Sequence, residues 1–222
     1  MGIVLTALVC LTALCSCPRV SQRTTGALPP QPDAPELDRA AATGQLGFEE
    51  ATLAQIEQTT GGRLEPILGQ LEGELRGVQV AVDQAKTAST VAELQAQLEP
   101  KGYLVFVSDQ GFGDEPARVG IAKGTDPYDI LRAVQTDGIN YDITNEQVIA
   151  KLKEWEQRYP FTITGASFDW VEVRFERPPT DLEAFAKEVY AFCPDVVAQG
   201  SGSVGELAKE IGKTQTLFLW WD

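Results

Sequence analysis

The stretch "FTITGASFDWVEVRF", residues 161–175, decides the fold. β-branched and aromatic residues dominate both of its ends, and small or turn-forming residues cluster at Gly165 to Asp169. The pattern predicts two short strands meeting at that connection. No helix fits between them, so the chain lacks the strict strand–helix–strand rhythm of a doubly wound protein.

Working outward, apolar runs predict further strands in "GVQVAV" (77–82), "YLVFV" (103–107) and "RVGIA" (118–122). The continuous run at 103–107 suits a central strand. "TLFLWWD" (216–222) is apolar on both faces, which predicts a strand covered on both sides. Helices are expected in "LGFEEATLAQIEQTTGG" (46–62), "GGRLEPILGQLEGEL" (61–75), "STVAELQAQLEPKG" (89–102) and "TDPYDILRAVQ" (125–135), where Asp126 is the expected cap. Capping boxes at Thr144/Gln147, Thr180/Glu183 and Ser203/Glu206 open three more. Together these predict a single α+β domain over 46–222, a mixed or antiparallel sheet with helices packed against it.

The first 17 residues, "MGIVLTALVCLTALCSC", read as an address. The apolar run is too short to cross a bilayer of about 30 Å as a helix, and it has the length of a signal-peptide core. It ends in Leu14-Cys15-Ser16-Cys17, which resembles the bacterial lipobox. The resemblance implies cleavage before Cys17 and lipid on its sulfur; an ordinary signal peptide cut nearby is the alternative. Residues 18–45 hold Pro29, Pro30, Pro32 and Pro35 among small and polar residues, a composition that predicts a disordered tether. These features predict a domain in a bacterial cell envelope, anchored to a membrane outside the cytoplasm.

Charge and composition narrow the function. Lys and Arg number 18 against 32 Asp and Glu, a formal net charge of −14. An acidic surface repels phosphate backbones, so nucleic acid is excluded as a partner and a cationic protein or peptide is favoured. The chain contains no histidine, which removes Ser-His-Asp and Cys-His catalysis, histidine-ligated metals and histidine pH switches. There is no GxGxxG or GxxxxGK[ST] motif, and nothing in the sequence calls for a cofactor.

The ordered combination "TDGINYD" (136–142), "ITGASFDWVEV" (163–173), "EVYAFCPDVVAQG" (188–200) and "LWWD" (219–222) resembles the bacterial domain of unknown function 4253. The resemblance runs from about Tyr103 to Asp222 and implies a shared fold. That family brings no activity that could be carried over to particular residues.

Candidate site residues come from the residue types themselves. Cys193 would be the one thiol left in the folded part. It falls at a helix C-terminus before Pro194 and near Asp195, where negative potential disfavours a thiolate, so a structural thiol is expected. Asp169, Asp195 and Asp222, with Asn140, could hold Ca²⁺ or Mg²⁺, or two of the carboxylates could act as acid and base. Structural roles in turns are the commoner use of such residues. Asp137 and Tyr141 of the "TDGINYD" loop and Gln199 join them as candidate binding residues. Trp220 and Trp221 point to opposite sides of a strand, one for the core and one available to a partner. Two classes of function stand: a non-enzymatic binding module, or a carboxylate-based hydrolase or divalent-metal-binding protein.

Overall fold

The architecture is taken from a computed structural model, which describes residues 35–70 and 73–222. The lipobox with Cys17 and residues 18–34 of the expected tether lie outside the described residues. Seven strands form one sheet: β1 (Leu64–Leu68), β2 (Leu75–Val82), β3 (Tyr103–Asp109), β4 (Ala117–Lys123), β5 (Phe161–Ala166), β6 (Trp170–Phe175) and β7 (Thr216–Trp220). Their spatial order is β1-β2-β4-β3-β5-β6-β7. Every neighbouring pair is antiparallel except β3 and β5, which run parallel with Val107 opposite Gly165. The fold is thus α+β on a mixed sheet. "YLVFV" lies in its central strand, and the 161–175 stretch forms the antiparallel pair β5–β6.

Helices cover both faces of the sheet. α1 (Arg39–Gly44), α2 (Glu50–Thr60) and α3 (Thr87–Leu98) close a core built on Leu53, Ile56, Val80, Leu94, Val119 and Ile121. α4 (Asp129–Val134), α5 (Asn145–Arg158), α6 (Leu182–Phe192) and α7 (Val204–Thr214) close a larger one around Phe106, Leu152, Trp155, Val173, Phe185 and Ile211. Trp155 is fully buried and meets Phe185 edge-on at 5.3 Å, a favoured aromatic geometry. The Thr144/Gln147 capping box opens α5 with both of its reciprocal hydrogen bonds.

Several expectations are corrected. Residues 35–45 are part of the fold: Asp38 caps α1 by accepting from the Ala41 N–H, and Leu37 and Ala42 are buried. "GGRLEPILGQLEGEL", read as a helix, contains β1 and the start of β2. Pro66 would remove a helical hydrogen bond there. Four consecutive buried residues, Leu64 to Ile67, erase the alternation that marks a strand covered on one face only. α6 is capped by Asp181 rather than Thr180, through the Ala184 N–H. Asp126 accepts from the Tyr128 N–H in a turn that precedes α4.

The largest correction concerns β7, an edge strand of the sheet, which is fully covered on one face and only partly on the other rather than sandwiched on both. Leu217 and Leu219 are buried on its core side. Phe218 and Trp220 are half-buried on the other, in an aromatic row: Phe218 lies 5.2 Å from Trp170 and 5.7 Å from Trp220, between ring centroids.

Candidate functional site

The "TDGINYD" loop folds as a 3₁₀ turn over Ile139–Tyr141, held by the Gly138–Ile143 bridge. Trp221 packs its buried ring against Gly138, where an added Cβ would lie 2.8 Å from the indole Cδ1. The turn thereby sets Tyr141 over the residues following α6. Its hydroxyl donates to Asp195 Oδ1 at 2.6 Å, and the Asp222 N–H donates to Oδ2 at 3.0 Å. Gln199 is a further hydrogen-bond partner of the same carboxylate.

Asp195 is 3% exposed. Burial alone would raise its pKa, but the Tyr141 hydroxyl and the Asp222 N–H outweigh it and hold the carboxyl below the usual range. The same hydrogen bond, followed by desolvation, pushes the Tyr141 phenol up to about 12. Each Asp195 oxygen is engaged by a donor from another segment. The group ties the 3₁₀ turn to the β7 end of the chain and is poorly placed to serve as a base.

Cys193 is the C-cap of α6 and is fully buried. Its thiol donates to the Trp220 carbonyl at 2.9 Å, and burial pushes its pKa up to about 12. It is a structural thiol, as expected, but burial is the main reason: desolvation outweighs the backbone hydrogen bonds at Trp220 and Val196 that favour a thiolate, and the Asp195 charge adds least.

The remaining candidates divide. Asp169 is half-buried; desolvation, then repulsion from Asp222 and Asp137, raises its pKa. Asp137 anchors the loop, donating its N–H to the Phe168 carbonyl at 2.8 Å. Asn140 is exposed on the 3₁₀ turn. Trp221 is buried and Trp220 is half-buried, the opposite facing expected of strand neighbours. Tyr141, Asp195, Gln199 and Asp222 therefore converge, whereas Asp169 meets Asp137 and Asp222 only through charge. Among the described residues no group of three or more Asp, Glu or Cys could hold a metal ion.

Another opening lies elsewhere. A groove of about 660 Å³ runs from β1 to the 167–170 connection, lined among others by Glu65, Gln79, Ser108, Asp109, Arg118 and Asp169. Arg118 bridges two of its carboxylates, with Nε 3.0 Å from Glu65 Oε2 and Nη1 2.9 Å from Asp109 Oδ2. Ser108 donates to Gln79 Oε1 at 2.9 Å. Leu68 and Phe168, 47% and 53% exposed, supply apolar surface. Of these residues, sequence reasoning found only Asp169. Glu65 was hidden in the stretch read as helical, and the signal that could have exposed it was Pro66 beside a charge within an apolar run.

Residues 118–222 match the family described as Domain of unknown function (DUF4253), the family that the C-terminal motifs resemble, starting at Arg118 rather than Tyr103. No curated protein and no solved structure matches the chain.

Proposed function

We propose that this protein is a membrane-tethered, extracytoplasmic lipoprotein whose domain binds a cationic protein or peptide and catalyses no reaction. The observation that carries the binding reading is the state of the groove floor. Glu65 and Asp109 share the single guanidinium of Arg118, and Ser108 is hydrogen-bonded to Gln79. These groups are committed to one another, as in a preformed recognition surface, rather than poised as nucleophile and base. Three carboxylates against one guanidinium leave the groove acidic, in keeping with the net charge of −14. The tether reading is supported by Leu14-Cys15-Ser16-Cys17 and by the prolines that follow.

Two measurements test it. Intact mass of the membrane-extracted protein should include an acyl group that Cys17→Ser lacks; equal acyl content in both would refute the anchor. A basic partner crosslinked in native membranes should be lost when Asp109 and Asp169 are both replaced by Lys. Unchanged crosslinking, or saturable thermal stabilisation by Ca²⁺ or Mg²⁺ instead, would overturn the binding reading.

A further inference from the structure

The two edges of the sheet are guarded differently. β1 carries Pro66 at its middle, so its free edge lacks a donor there. β7 has no such residue, and its outward hydrogen-bonding groups can be identified. The Trp221 N–H donates to the Asp169 carbonyl at 3.0 Å, and the Phe175 N–H to the Gln215 carbonyl at 2.8 Å. In the register that pairs Trp220 with Trp170, residues 215, 217, 219 and 221 therefore make the hydrogen-bonded pairs with β6. The N–H and C=O groups of Thr216, Phe218 and Trp220 point away from the sheet.

The rest of the fold caps the ends of that edge. The Cys193 thiol takes the Trp220 carbonyl, Asp195 takes the Asp222 N–H, and Thr214 Oγ1 accepts from the Thr216 N–H at 3.2 Å. Between these caps, no group among the described residues bonds the N–H or C=O of Phe218. Beside this gap opens a cleft of about 340 Å³, with Leu207, Ile211 and Leu217 on its core side and Phe218 and Trp220 on the other. Trp220 lies so close to Gly200 that an added Cβ would be 2.5 Å from its ring. The glycine lets the π-helical turn Val196–Ser201 form one wall.

We propose that the free edge of β7 receives an extended basic segment of a partner protein as an eighth strand, hydrogen-bonded to Phe218 N–H and C=O. This rests on the reading of the domain as a binder of cationic partners, but it uses a surface separate from the groove. Side chains of an added strand alternate. One set would enter the cleft toward Leu207 and Ile211 and be apolar. The other would lie over the row Trp170, Phe218, Trp220, whose ring faces attract Arg or Lys. Among the described residues, none of the cations placed over aromatic rings occupies that row. Glu210 is, among the described residues, the only charged side chain lining the cleft. A second copy of the chain would also fit the edge, but it would bring an equal net charge of −14 against this one.

The test uses the full chain and four ten-residue probes: an Arg-Val alternating peptide, two forms of it methylated on every second backbone nitrogen, and a Glu-Val peptide. Two methylated forms cover both phases of the strand. The Arg-Val peptide should bind saturably, and methylation in one phase should weaken it by about tenfold or more through loss of the edge hydrogen bonds. Phe218→Pro should weaken the unmodified peptide likewise, while Asp109→Lys with Asp169→Lys should leave it unchanged. Equal binding of both methylated forms, equal binding of the Glu-Val peptide, or no binding would overturn the proposal. So would self-association through β7, seen as a concentration-dependent mass that Phe218→Pro abolishes. Loss of binding only in the groove double variant would assign the peptide to the groove and leave the general binding reading standing. If Phe218→Pro does not fold, the two methylated peptides decide the question on the unmodified protein.

Discussion

The hydroxyl of Tyr141 donates to Asp195 Oδ1 at 2.6 Å across a sequence separation of 54 residues. This single contact joins the loop after α4 to the turn after α6. The other oxygen of the same carboxylate holds the backbone of Asp222. The residues that looked like a binding loop and a catalytic acid thus hold each other in place.

A pH-dependent stability follows from that contact. The folded Asp195 carboxyl is held below the usual carboxylate range, so its stabilisation is present above the unfolded value of about 4. It is lost as the pH falls through the folded value. Asp195→Ala should cost about 2 kcal/mol at pH 7, lowering the melting temperature by about 4–8 °C. The difference from wild type should shrink below pH 4; a constant difference down to pH 2 would show that the charge is not what stabilises.

Asp169 should behave in the opposite sense. Its folded pKa is raised, by burial first and then by Asp222 and Asp137. Its favourable contribution therefore belongs to the protonated form at low pH and is lost as the pH rises through the folded value. Asp169→Asn should raise the melting temperature at pH 7 by about 1–2 °C, with less gain at pH 3.5. A destabilised variant at pH 7 would refute the repulsion argument.

Breaking the ion pair in the groove should be costly. The Glu65 and Arg118 side chains are only 7% and 15% exposed, so Arg118→Met strands a buried carboxylate at a cost of about 3 kcal/mol. Adding Glu65→Leu should recover most of that loss. Urea denaturation of the two variants measures it, and equal stability of single and double variants would contradict the pairing.

Cys193 should be protected by the fold. With its pKa pushed up to about 12 and no exposed surface, it should react with a neutral-pH thiol reagent only as fast as the protein opens. Labelling in urea should be rapid. Rapid labelling of the native protein would contradict the burial of the α6 C-cap.

Much of this could be read in the residues because it depends on local chemistry. The antiparallel pair at 161–175, the central run "YLVFV", the Thr144/Gln147 box and the inert character of Cys193 follow from side-chain shape, hydrogen-bonding capacity and nearest neighbours in sequence. So did the acidic balance and the absence of histidine, which narrowed the function before any fold was known. β1 was misread because a segment buried on both faces has no periodicity to distinguish strand from helix. The covering of β7 was misread because apolar residues on both sides of a strand are satisfied equally by a covering layer or by a half-buried aromatic row on one face. Convergence could not be read at all: Tyr141 meets Asp195, and Glu65 meets Arg118, only after the strands have ordered themselves as β1-β2-β4-β3-β5-β6-β7. Residue types and spacing determined which groups this chain has available. Only the tertiary structure decided which of them are spent on each other and which edge is left open, because both depend on contacts between residues far apart in the chain.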